Sequence, residues 1–146
     1  MLDIRGKVKG TMKKISEVCK LTGVTRRTLQ FYDEEGLLHT NRSSENYRLY
    51  DRNTLENIWQ ILVYKEMGFR LKEIKDILMV SEQNRTCFLK QKTEALQNQM
   101  TQISAQIRLI QQIQEKGMPS APNYDVNGRT YKEQVTRLRG DNGKGD

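Results

Sequence analysis

The chain has 146 residues, a net charge of +7 and only 36% apolar residues, a proportion suited to a small core with a polar, elongated appendage. No apolar run approaches the roughly 20 residues that cross a bilayer, so no membrane partner is expected. Two distant cysteines and a single histidine supply no set of about four close ligands, which argues against an intrachain zinc site, and no cofactor is expected.

The first residues, MLDIRGKVKG, are basic and contain no apolar stretch of the kind found in a secretory signal, so a reducing, cytoplasmic setting is the default. We read residues 1–12 as a flexible basic leader, with Met12 as an alternative start. Residues 1–32 carry eight lysines and arginines against two acids, Asp3 and Glu17. Such an end attracts polyanions through counterion release, although the same charge could serve solubility alone.

The stretch ISEVCKLTGV, residues 15–24, predicts a short helix. Ser16 is the expected cap, Val18, Cys19 and Leu21 supply apolar contacts, and Gly23 suits a left-handed stop. Thr25 offers a second N-cap two residues later. Leu29, Phe31 and Tyr32 give the next helix an apolar side, with Leu29 and Phe31 expected in the core, and Gly36 ends it. Two short helices joined by a glycine-containing turn make a helix-turn-helix candidate, although many such pairs serve only packing.

Residues 39–50, HTNRSSENYRLY, place turn formers between two β-compatible stretches and predict a small hairpin or wing. Asn46 is suited to the left-handed turn position, and Tyr50 is read as a packing residue. Helical spacing then returns at Leu55, Ile58, Ile61 and Leu62, up to Gly68, and again at Leu71, Ile74, Ile77 and Leu78. Residues 13–80 therefore form one small basic domain of four helices and a wing.

From Ser81 to Lys116 there is neither proline nor glycine. Leu89, Leu96, Ile103 and Ile110 lie seven apart, and Thr93, Met100, Ile107 and Gln114 fill the alternate register. This narrow a/d seam requires a second helix, either from another copy of the chain or from its own domain. We take residues 81–116 as a dimerisation helix with Leu89, Leu96, Met100, Ile103, Ile107 and Ile110 at its seam. Residues 117–146 are a short tail in which 130–139 could form a helix, with Tyr131, Val135 and Leu138 on one side. The last seven residues are expected to be disordered.

The run KISEVCKLTGVTRRTLQFYDEEGLL, followed by RSSENYRLYD, KEMGFRLKEIKDIL and the long seam helix, resembles the MerR family of bacterial transcription regulators over residues 13–115. The resemblance implies a mainly α fold, in which a winged helix-turn-helix domain precedes a long helix that dimerises as an antiparallel coiled coil. It also implies binding to a pseudo-palindromic promoter element. Bending and untwisting of that DNA would realign its elements for RNA polymerase, an indirect partner.

Thr25, Arg26, Arg27 and Thr28 would then form the first turn of a recognition helix. There the macrodipole favours phosphate and arginine can read guanine edges. Arg27, Thr28, Tyr32, Arg42, Tyr47 and Arg48 match positions that the family's motif assigns to DNA contact. Gln30, Asn46 and Arg70 depart from the pattern, and Arg70 should leave the fourth helix without its usual cap.

Cys87 lies near the start of the seam helix, where a thiol can be activated and where metal-sensing relatives place a ligand. It is a candidate effector thiol or a small packing residue, and Cys19 is read as buried. His39 is read as structural or exposed. A dimeric promoter-binding regulator is the leading expectation. An architectural DNA-binding protein of a mobile element and a helical protein-interaction module are the alternatives. No catalytic constellation is visible, so an enzyme is not expected.

Overall fold

The computed structural model describes residues 12–123 and 126–141, and the chain divides into two compact units at Thr86. The leader, apart from Met12, and residues 142–146 lie outside the described residues.

The first unit begins with strand β1 (Lys13–Lys14) and helices α1 (Ile15–Thr22) and α2 (Arg26–Glu34). The wing strands β2 (Asn41–Arg42) and β3 (Arg48–Tyr50) follow, then helices α3 (Arg52–Glu66) and α4 (Leu71–Leu78). The three strands form an antiparallel sheet in the order β1-β3-β2, with Lys14 opposite Leu49 and Arg42 opposite Arg48. The hairpin was legible in the turn residues. Its third strand was not, because two lysines carry no β signal and pair only once β3 lies beside them.

Local caps set the helix ends. Ser16 does not cap α1, since it falls inside the helix. Lys14 occupies that place, and its backbone N–H donates to Glu17 Oε1 at 3.3 Å. Gly23, at φ 75°, ends the helix with its N–H on the Cys19 carbonyl at 2.9 Å, in the conformation where glycine escapes a Cβ clash. Thr25 caps α2 as expected, accepting from the Thr28 N–H at 3.1 Å. Asn46 takes the left-handed position of the wing turn at φ 68°. Arg70 provides no side-chain cap to α4, and its own N–H is satisfied by Glu73 Oε1 at 2.9 Å, so half of a reciprocal cap survives.

The core joins α1, α2, the sheet, α3 and α4 through Val18, Leu29, Tyr32, Leu38, Tyr50, Ile58, Ile61, Ile74 and Ile77, all essentially inaccessible. Tyr64 and Phe69 stack edge to face at 5.9 Å between α3 and α4. Cys19, expected inside, is only half-buried. Phe31 is a clearer correction, being 43% exposed. Leu29 and Tyr32 are three residues apart and share a helix face, whereas Phe31 is two from Leu29 and points elsewhere.

A single 3₁₀ turn at Glu82–Asn84 precedes the long helix, so that helix starts at Thr86 and not at Ser81. Buried Arg85 fixes the turn. Its Nε donates to the Val80 carbonyl at 3.1 Å and its Nη1 donates to Gln60 Oε1 at 2.9 Å, with the guanidinium 5.9 Å from the Tyr64 ring centre.

The second unit contains α5 (Thr86–Lys116), a 3₁₀ turn at Val126–Gly128 and α6 (Tyr131–Asp141). No residue of α5 is buried. Helix α6 includes Gly140 and Asp141, so the first two of the seven terminal residues expected to be disordered are helical. No helix among the described residues is long and apolar enough to cross a membrane.

Candidate nucleic-acid interface

Helix α2 presents Arg26 and Arg27, both exposed, in its first turn. Four N–H groups at a helix start have no intrahelical acceptor, and the aligned peptide dipoles add positive potential there. Thr25 satisfies one of these donors, and its hydroxyl also donates to Thr28 Oγ1 at 2.9 Å. These two threonines therefore shape the turn through each other.

The wing is held to this helix by charge. Arg48 Nε lies 2.7 Å from Asp33 Oδ2, each side chain about one-fifth exposed, and the Thr40 hydroxyl donates to the same oxygen at 3.3 Å. Asp33 thus ties the wing to α2 through the Nε of Arg48. At the wing tip, Arg42 Nη1 donates to the Asn46 carbonyl at 3.1 Å and the Tyr47 N–H donates to Ser43 Oγ at 3.0 Å. Tyr47 itself is 59% exposed.

An open cleft of about 500 Å³ lies between the start of α1, the outer face of α2 and the wing. Lys14, Arg26, Arg42 and Arg48 line it together with Gln30 and Tyr47, and Glu45 is the acid among the lining residues. Four cations in one concave surface give it a positive potential. The fold therefore brings together Arg26, Arg42, Tyr47 and Arg48 from the expected set. Arg27 is exposed on the same first turn outside the cleft lining, and Thr25 and Thr28 form the cap.

Tyr32 does not belong with them. It is 1% exposed, and its hydroxyl receives a hydrogen bond from Lys65 Nζ at 3.4 Å. Its place is in the core, so a direct phosphate contact is corrected to a packing role. Lys14 and Asp33 were missed, the first because it counted only as bulk charge and the second because it read as a helix-ending acid. The three-residue cluster in which Thr40 and Arg48 both donate to Asp33 forms only when the wing is folded.

Buried Tyr50 lies behind the cleft, and its hydroxyl has no hydrogen-bond partner among the described residues. Burial pushes its phenol above the ordinary value of 10.0, against the opposing charge of Arg48 and with a smaller push from Asp33. His39 is exposed, and its backbone carbonyl lies 2.8 Å from Thr54 Oγ1. Cys87 is exposed in the first turn of α5, so within one chain it is no packing residue. No cluster of three or more His, Cys, Asp or Glu suited to a metal occurs among the described residues.

Two family profiles match the sequence: "MerR HTH family regulatory protein" over residues 13–79 and "MerR, DNA binding" over 55–116. The crystal structure of the N-terminus of Mta, the Bacillus subtilis multidrug transporter activator, superimposes with a TM-score of 0.64 at 35% identity. That match covers 68% of this chain and 95% of the other. The chain belongs to the MerR family of transcriptional regulators.

The fold is also that of HiNmlR, a MerR family regulator lacking the sensor domain and bound to promoter DNA, with a TM-score of 0.51 at 20% identity over 73% of this chain and 95% of that one. YfmP, an HTH-type transcriptional regulator of Bacillus subtilis, is 29% identical over 143 residues, 91% of this chain and 92% of its own. The match to the full-length Mta activator is 36% identical over 98 residues, 66% of this chain. The chain spans less than half the length of several curated relatives: 38% of Mta, 46% of Bacillus subtilis CueR and 40% of a Bradyrhizobium NolA protein. Membership of a family of regulators agrees with the expectation that the chain is not an enzyme.

Proposed function

We propose that this MerR-family regulator acts in the cytoplasm as a homodimer that binds one pseudo-palindromic promoter element. Each protomer grips a half-site with the first turn of α2 in the major groove and the wing on the backbone. The cleft carries the reading, because Lys14, Arg26, Arg42 and Arg48 converge there from β1, α2 and the wing. Phosphate contacts of this kind would position the protein, and the exposed Arg26 and Arg27 in the first turn of α2 would read bases.

The exposed seam of α5 supports the dimer. Leu89, Leu96, Met100, Ile103, Ile107 and Ile110 are between 37% and 67% exposed along one seam, and apolar stripes of that length seek cover. Antiparallel pairing of two such helices sets the two recognition helices a fixed distance apart. Bending and untwisting of the DNA between the half-sites would then present the promoter to RNA polymerase in a changed geometry, at an elastic cost that the paired grips offset.

Selection of binding sites from a random duplex pool tests the proposal. The expected product is two inverted half-sites at one spacing, with footprinting confined to that element. Arg27→Ala should weaken binding roughly tenfold to a hundredfold and reduce the salt slope by about one, with the dimer intact. A pool without inverted repeats, or protection spreading into a long array, would instead indicate an architectural DNA-binding protein.

A further inference from the structure

The second unit holds a groove that shares no lining residue with the basic cleft of the first. Leu109 and Ile113 near the end of α5, Met118 and Pro122 in the following segment, and Val135 and Leu138 on α6 wall an open groove of about 570 Å³. Small-molecule sites span roughly 300–1,000 Å³ and are lined mainly by apolar groups with a few polar ones. The groove is tied together by hydrogen bonds. The Tyr131 hydroxyl donates to the Pro122 carbonyl, and Gln134 Nε2 donates to the Arg129 carbonyl at 3.1 Å.

Its charge is one-sided. Arg129 and Arg137 belong to the lining, and among the described residues no acid does. Neither arginine has a carboxylate within ion-pair distance among the described residues. An apolar helix from another protein would cover the walls but leave two guanidinium groups partly desolvated without a counter-charge, which is unfavourable. A cationic amphiphile would be repelled. An amphipathic anion satisfies both features, since its apolar body displaces water from the walls while its carboxylate takes the forked donors of arginine.

We propose that this groove binds a small organic acid with an apolar body, a medium-chain or aromatic monocarboxylate, whose carboxylate is held by Arg129 and Arg137. The site uses no residue of the DNA cleft, so the two readings stand or fall separately.

Isothermal titration of the full chain with decanoate, and with decyltrimethylammonium as the cationic counterpart, tests it. Decanoate should bind and the cation should not. Arg137→Glu should weaken decanoate binding roughly tenfold or more, while Arg137→Lys should retain most of it. Val135→Trp, which fills the groove, should abolish binding while helical circular dichroism is unchanged. Arg137→Glu and Val135→Trp should both keep the DNA affinity of the parent chain measured without decanoate. Absence of decanoate binding, equal binding of the cation, or full affinity in Arg137→Glu would each overturn the proposal. Loss of the dimer in Arg137→Glu or Val135→Trp would also overturn it, by assigning the groove to a second copy of the chain.

Discussion

The two units bury their apolar side chains in opposite ways. Up to Thr86, twelve apolar residues lie inside a core built by four helices and a small sheet. Among the described residues beyond Thr86 none is buried, although α5 alone runs for 31 residues. The first unit has its hydrophobic stabilisation within one chain, whereas the second exposes a seam that only another surface can cover. A small winged domain can therefore tolerate a polar exterior, but a narrow helical stripe acquires a structural role only with a partner.

The sharpest way to break this contrast is to charge the seam. Ile103→Asp with Ile107→Asp should raise the dimer dissociation constant roughly a thousandfold or more, because each dimer would bury four carboxylates. Sedimentation equilibrium reads the change, and near-ultraviolet circular dichroism of the first unit should be unaltered. If the doubly charged chain remained dimeric, the seam would not be the interface. In the first unit the corresponding lesion is a cavity. Ile61→Ala should cost about 3 kcal/mol in denaturant unfolding, since Ile61 is wholly inaccessible. A loss below about 1 kcal/mol would mean that this core is looser than its burial implies.

A smaller effect lies at the link between wing and helix. Asp33→Asn removes the ionic partner of Arg48 and should cost about 1 kcal/mol of stability, the pair being one-fifth exposed. Its larger signature should be in DNA binding. Removing an acid near phosphate would by itself strengthen affinity, so weaker binding would identify Asp33 as the residue that sets the wing's angle.

The smallest expected effect has the opposite sign. Tyr50→Phe deletes a buried hydroxyl with no partner and should be neutral or stabilising by up to about 1 kcal/mol. It should also remove a pH dependence. The folded phenol is raised above 10.0, so the unfolded chain releases its proton first. Stability of the parent chain should therefore be level in this respect below pH 10 and fall as pH rises toward the folded value. A parent and variant that lose stability equally above pH 10 would show that the phenol is not held neutral by burial.

Much of this is legible in the sequence alone. Gly23, Thr25 and Asn46 announced their turns because positive φ and N-capping are properties of a residue and its immediate neighbours. The heptad seam was legible for the same reason, since a period of seven is written along the chain. Phe31 and Tyr32 were assigned the wrong way round despite a usable signal, namely that Tyr32 shares the face of Leu29. Arg85 gave no signal at all, because its acceptors are Val80, Gln60 and the Tyr64 hydroxyl, the latter two more than 20 residues away in sequence.

What the sequence determined by itself was the helix-turn-helix, the wing, the basic first fifth and the seam, all of which depend on local spacing and composition. Only the tertiary structure decided which basic side chains converge on one cleft, that β1 completes the sheet, and that Tyr32 belongs to the core. It likewise placed Arg129 and Arg137 beside apolar walls drawn from α5 and α6. Those outcomes depend on groups far apart in the chain, whose approach is fixed by packing and not by any residue's own preference.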